Sequence, residues 1–262
     1  MICAVNSPER EALFLSALCG QDLPAVQIGT HWTAFGQLPG SGWQFYTGTE
    51  EDTPFALAVK GTSAQCCGPC DLEELGVFLR FLGVRQLAWR GPAPAGYQAG
   101  EPVCQFLMRR ENALCIPEEP FPAGLVLQRE PSLLAVTGLV MEAPDLAAAG
   151  QDFFDEFYSR GCALRNRGLA QVWTLEAPGC PPASTAGIYG VWEHTAYLAA
   201  VHTRAALRRN GLAGRLVRAL AAEQARQGND TALWCRPAQA DFYTALGFEA
   251  CGTVPQYLAR QA

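Results

Sequence analysis

Between Val201 and Leu220 the chain reads VHTRAALRRNGLAGRLVRAL, twenty residues without an acidic side chain. The stretch opens with strand-forming residues and ends with Leu212, Leu216, Val217 and Leu220 at helical spacing. Between them lie Arg208, Arg209 and the pair Asn210–Gly211, a turn that can take backbone conformations closed to bulky residues. Ala213 and Gly214 keep the first helical turn small, so a ligand could approach the main chain. The first four N–H groups of a helix have no intrahelical partner, and with the helix dipole they attract anions. This is the chemistry of a phosphate or pyrophosphate cradle. It is not a P-loop, because GK[ST] is absent. It is not a dinucleotide fingerprint either, because only Gly211 and Gly214 of the G-x-G-x-x-G pattern could be supplied. The plain alternative is a strand–loop–helix connection with solvated arginines.

A second constellation is CGPC at Cys67–Cys70, ahead of a helix-like segment. A helix N-terminus lowers a thiol pKa, so Cys67 and Cys70 define a thiol–disulfide redox alternative. Cys66 rather than tryptophan precedes Cys67, and no βαβ beginning is visible, which favours a turn with small buried thiols. A zinc site would need a second close Cys/His pair. Cys104, Cys115, His31, His194 and His202 are scattered, so no metal is expected.

The first constellation resembles the acetyl-CoA site of the GNAT acetyltransferase superfamily. There, V-x-T ends a strand, and four residues later [QR]-x-x-G-x-[GA] opens a helix. Val201 and Thr203, then Arg208, Gly211 and Ala213, match in spacing and type. A later Tyr-x-x-x-Gly-Phe matches at Tyr243, Gly247 and Phe248. The resemblance covers roughly residues 125–262 and implies an α/β (α+β) fold: a mixed, mostly antiparallel sheet flanked by helices. It also implies acetyl-CoA as co-substrate. The main chain of Val201, His202 and Thr203 would meet the pantetheine arm, and Arg208, Arg209, Asn210, Gly211, Leu212, Ala213 and Gly214 would surround the pyrophosphate. Tyr243 would protonate the leaving thiolate. Glu193, acting through water, is the expected base for an amine acceptor. Tyr189, Trp192, Trp173 and Phe154 are candidates to line the acceptor pocket. The segment RPAQADFY before the tyrosine lacks the asparagines common in the family, which motivates a second alternative, a non-catalytic acyl-CoA-binding or regulatory protein.

The rest of the chain sets bounds. A net charge of −6 argues against general nucleic-acid binding, and no apolar run is long enough for a membrane span. Glu9, Arg10 and Glu11 interrupt the start where a secretory signal would be apolar, so a cytoplasmic protein with reduced thiols is expected. The expected partner is a small-molecule amine, and a homodimer is left open.

These residues need positioning elements. Strands are read at Gln171–Glu176, Thr185–Glu193, Tyr197–Thr203, Ala232–Cys235 and Phe248–Val254, with helices at Ala148–Gly161, Leu212–Gln227 and Ala238–Leu246. The first half starts irregularly. It then offers strands at Trp43–Tyr46, Phe55–Lys60, Leu87–Arg90 and Val103–Met108, and a helix over 71–82 that Asp71 would cap with Glu74 completing a capping box. The proline-rich IPEEPFPAG at 116–124 reads as a linker, giving domains 1–120 and 121–262. The halves share a coarse element order, so a tandem GNAT-like pair with a degenerate first copy is expected.

Overall fold

In a computed structural model, residues 1–18, 22–117 and 119–260 are described. The first sheet has the order β1-β2-β3-β4-β5-β14-β6. Its strands are β1 (Cys3–Ala4), β2 (Trp43–Glu50), β3 (Thr53–Lys60), β4 (Ser63–Cys67), β5 (Gln86–Ala88), β6 (Tyr97–Ala99) and the chain's last strand, β14 (Gln256–Ala259). Its helices are α1 (Pro8–Ser16), α2 (Leu23–Phe35) and α3 (Leu72–Phe81).

The second sheet has the order β13-β7-β12-β11-β10-β9-β8. It comprises β7 (Val103–Met108), β8 (Val126–Gln128), β9 (Gln171–Glu176), β10 (Ser184–Trp192), β11 (Thr195–Thr203), β12 (Asp230–Cys235) and β13 (Glu249–Val254). The remaining helices are α4 (Arg110–Cys115), α5 (Leu133–Val140), α6 (Pro144–Ala147), α7 (Gly150–Asn166), α8 (Leu212–Arg226) and α9 (Ala240–Ala245).

The two sheets repeat one plan. Antiparallel neighbours lead to a parallel step, β4–α3–β5 in the first and β11–α8–β12 in the second. The chain forms two compact units. One holds 1–106, 234–240 and 250–262, and the other holds 107–233 and 241–249. The proline-rich segment therefore lies inside the second unit rather than at its border, and the tail belongs to the first.

Local chemistry explains where the sequence pattern succeeds and where it fails. Helix α8 buries Leu212, Leu216, Val217, Leu220 and Ala221 along one stripe, as its spacing requires. Helix α2 fills the supposedly irregular start. Nearly all its residues are buried, so it shows no polar face from which a helical period could be read. Asp71 caps α3 by accepting from the Glu74 amide at 2.7 Å. The reciprocal half of the capping box is absent, because the Glu74 carboxylate instead accepts from the Ile2 amide at 2.8 Å. Gly161, expected to stop a helix, sits inside α7. It is buried beside Leu133 and Tyr189, and the helix runs on until Gly168 turns the chain at φ +70°.

The core of the first unit gathers Phe55, Leu57, Leu75, Leu79, Leu87 and Tyr97 between sheet and α3. In the second unit Leu133, Val136, Phe157, Val172 and Tyr189 join α5 and α7 to the sheet. Among the described residues no helix is long and apolar enough to cross a membrane.

Candidate coenzyme site

The site begins where β11 outruns its neighbour. The parallel ladder between β11 and β12 runs from Thr195–Asp230 to Leu198–Leu233. Beyond it β11 continues to Thr203, still paired with β10 at Ala199–Gly187, His202–Thr185 and Thr203–Ser184. Between those pairs β11 carries one extra residue, and Ala200 there takes φ +54°. A bulge of this kind turns a strand locally and re-aims its groups. The edge of β11 from Ala199 to Thr203, past the end of the β12 ladder, thus offers main-chain groups to an extended ligand in the manner of an added strand. Ser184 Oγ braces this end, 2.8 Å from Thr203 Oγ1 and donating to the His202 carbonyl at 3.0 Å.

The chain then folds through a short 3-10 turn at Ala205–Leu207 into the loop before α8. The Arg208 Nε donates to the Thr203 carbonyl at 3.0 Å, which ties the loop back to the strand. Asn210 Nδ2 donates to the carbonyls of Leu207 and Arg208 at 3.1 and 3.3 Å. Arg209 at φ +66° and Gly211 at φ +72° are both left-handed. Such alternation turns successive N–H groups into one concavity, a shape that holds anions. Gly211 is the N-cap of α8 and provides no side-chain hydrogen bond, and the first turn has no acidic residue. The N-terminal amides of α8 are therefore not capped by the chain's own carboxylate.

The equivalent turn in the first unit shows the opposite chemistry. Only residues 68–71 separate β4 from α3, Asp71 caps the helix, and Glu73 and Glu74 occupy its first turn. A carboxylate already stands where an anion would bind, so this turn is not built to hold one.

The structure corrects the reason for one glycine. Gly214 is buried, and a Cβ there would stand 3.2 Å from Leu246 Cδ2. Its small size serves the packing of α8 on the end of α9 rather than ligand access. Tyr243 lies in α9, one helical turn before Leu246. Tyr243 is buried, with Phe242 and Phe248 rings at 5.0 and 5.9 Å. Leu212 is buried and anchors the helix start, while 205–211 are exposed.

Glu193 is not part of this assembly. It sits at φ +51° in the exposed two-residue turn between β10 and β11, since Trp192 pairs with Thr195. The five strand steps from Thr195 to Ala200, at about 3.3 Å each, hold this turn about 17 Å from the Ala200 bulge. The expected acceptor-lining residues also separate. Trp173 and its neighbour Val172 face opposite sides of the sheet, and Tyr189 packs with Val172 and Phe157. Burial pushes the Tyr189 hydroxyl pKa up, so it stays a neutral phenol within the core.

The CGPC segment forms a turn between β4 and α3. Cys66 and Cys70 are buried, and Cys67 donates its thiol to the Ala17 carbonyl at 3.4 Å. Burial first, then Glu74, Glu50 and Asp71, push Cys70 up to about 12, and burial drives Cys66 up as well. These are thiols held protonated, contrary to what thiolate chemistry requires. Among the described residues no group of three His, Cys, Asp or Glu is placed to hold a metal.

Two elements of the site escaped the sequence. Ala200 carries the bulge, yet alanine gives no signal for a left-handed backbone. Arg215 donates from Nη1 to the Asn210 carbonyl at 3.1 Å and steadies the loop, but in sequence it is an ordinary helical arginine.

Comparison with known proteins agrees with this fold. Residues 191–255 match the family described as FR47-like protein. No curated protein sequence matches the chain. A Drosophila protein of solved structure aligns at TM-score 0.70 and 11% identity, over 99% of this chain and 98% of that one. A tandem GNAT protein from the clavulanic acid biosynthesis pathway aligns at TM-score 0.63 and 14% identity, over 100% and 99%. A protein described as a GNAT-family acetyltransferase from Novosphingobium aromaticivorans aligns at TM-score 0.55 and 20% identity, over 92% and 100%. The chain is thus a tandem GNAT-fold protein whose second half carries an FR47-like segment.

Proposed function

We propose that the protein is an acyl-CoA-dependent N-acyltransferase that moves an acetyl group to an amine, with the coenzyme held by β11, the loop 204–211 and the first turn of α8. The observation that carries this reading is a pair: a strand edge running past its ladder, continuous with an anion-shaped loop free of carboxylates. The residues present suit a coenzyme with a pyrophosphate and a strand-like arm. When bound, it would supply an activated thioester.

The chain's own part is orientation, polarisation and one proton. Main-chain N–H groups near the Ala200 bulge would polarise the acyl carbonyl. The amine nitrogen forms the new C–N bond as the C–S bond breaks. The Tyr243 hydroxyl would give its proton to the departing sulfur, and the amine's proton would leave to water, from which the phenolate is reprotonated. Holding both reactants in line supplies much of the rate in such direct transfer.

The placement of Glu193, remote from the bulge, supports a second reading in which the protein binds acyl-CoA without turnover. Calorimetric titration of acetyl-CoA into the wild type and Gly211→Glu tests the shared premise. Binding near micromolar, about −8 kcal/mol, that vanishes in the variant supports the site. No binding to the folded wild type overturns both readings. An amine panel with thiol release then separates enzyme from binder.

A further inference from the structure

Arg215 and Arg218 stand one turn apart on α8 and meet the same carboxylate, that of Glu119. Glu119 Oε2 lies 3.3 Å from Arg215 Nε, and Oε1 accepts from Arg218 Nη1. Each guanidinium also donates to a main-chain carbonyl. Arg215 Nη1 donates to that of Asn210 at 3.1 Å, and Arg218 Nη2 to that of Ala245 at 3.3 Å. Asn210 belongs to the loop before α8, and Ala245 ends α9, the helix that carries Tyr243. All of these residues lie in the second unit.

Two guanidiniums three residues apart on one helix repel, and a carboxylate between them offsets that repulsion. The sequence prepares this carboxylate. Pro120 restricts Glu119 to extended backbone, and Pro117 and Pro122 stiffen the segment on either side.

The two carbonyls matter to their neighbours. The Asn210–Gly211 peptide is trans, and a peptide group is planar. Fixing the Asn210 carbonyl therefore fixes the Gly211 N–H on the opposite side of the same plane. A Cβ on Gly211 would stand 3.3 Å from Arg215 Nη1, so the glycine also makes room for this guanidinium. The Ala245 carbonyl is at the C-terminus of α9, where a cation suits the helix dipole.

We infer that Glu119 is a positioning residue of the coenzyme site, acting through Arg215 on the loop and through Arg218 on the helix of Tyr243. One carboxylate thereby sets the anion cradle and the general acid together. That role rests on the coenzyme reading. The bridge itself does not, and it is measured on the free protein. Charge alone predicts the reverse effect on binding. Removing Glu119 takes a negative charge from the neighbourhood of an anionic coenzyme, which would tighten binding by about twofold through water. Loss of loop geometry weakens it.

The experiment pairs amide hydrogen exchange, read by mass spectrometry, with calorimetric titration of acetyl-CoA. In Glu119→Ala, peptides covering 205–213 and 241–248 exchange at least about tenfold faster than in the wild type. The urea midpoint is unchanged, because partly exposed ion pairs add little to global stability. Arg215→Met releases only the first peptide and Arg218→Met only the second, since methionine keeps an apolar stem and the helix propensity. Glu119→Ala binds acetyl-CoA about tenfold more weakly than the wild type. Unchanged exchange at either peptide, exchange raised evenly across the second unit, or acetyl-CoA binding as tight as in the wild type or tighter overturns the proposal. If the wild type itself binds no acetyl-CoA, the coenzyme reading falls and the positioning role falls with it. Should Glu119→Ala not fold, Glu119→Gln takes its place with the same outcomes.

Discussion

Gly214 rests on Leu246: a Cβ at position 214 would stand 3.2 Å from the leucine's Cδ2. This close approach sets Leu246, the residue after α9, against the first turn of α8. Gly214→Leu would force the two helices apart. Overpacking of this kind costs about 1–3 kcal/mol, which a denaturant titration would read as a lower midpoint. If the variant is as stable as the wild type, the contact does not position α9.

Gly211 holds α8's N-cap at φ +72°. Any side chain there meets the left-handed penalty of about 1–2 kcal/mol. Gly211→Ala should lose stability of that order and weaken acetyl-CoA, because relief of the strain turns the amides away from the ligand. Urea unfolding and calorimetry on one preparation check both effects. A loss of affinity without a loss of stability would point instead to direct obstruction by the new methyl.

The parts legible in the sequence were those where one face of an element is buried and the other wet. Helix α8 follows that pattern, β12 shows as a short apolar run buried on both faces, and the turn at Arg208–Gly211 announces itself through glycine and the absence of acid. Helix α2 was hidden because it is apolar all round. Gly161 misled because glycine inside a helix can serve packing as well as termination. Strand β14 was missed for another reason. Its four residues pair with β5 and β6, far earlier in the chain, and no local pattern encodes so distant a register. Glu193 was chosen for its neighbourhood in sequence. A nine-residue strand converts that neighbourhood into distance.

Glu193→Gln should therefore leave acetyl transfer to a responsive amine within about twofold of the wild type, since an exposed turn residue about 17 Å away cannot accept the amine's proton. Steady-state assay with thiol release as the readout is sufficient. A hundredfold loss of kcat would return the residue to the mechanism.

Native Cys66 and Cys70 should resist iodoacetamide at neutral pH, while the exposed Cys115, Cys180 and Cys251 react. The sign follows from the protonated form being favoured in the fold. Cys70 is raised from 9.0 to about 12, so its contribution to stability is intact below pH 9 and is lost as the pH climbs towards 12. Mass spectrometry of alkylated peptides across this range should show Cys70 labelling only near its upper end. Rapid labelling of Cys70 at pH 7 would contradict the burial of its thiol and revive redox chemistry there.

Tyr243→Phe isolates the proton from the packing. The ring keeps its place between Phe242 and Phe248, so acetyl-CoA affinity should stay close to that of the wild type. Only the hydroxyl is lost, and removal of a general acid lowers the chemical step by about 10²–10⁴-fold. The measurement pairs calorimetry with single-turnover transfer to an accepted amine. A fall in kcat at constant affinity assigns the proton to Tyr243. If the rate is unchanged, the leaving sulfur takes its proton from water and the tyrosine is a packing residue. Loss of binding and rate together would mean that the hydroxyl holds the ligand rather than the transition state.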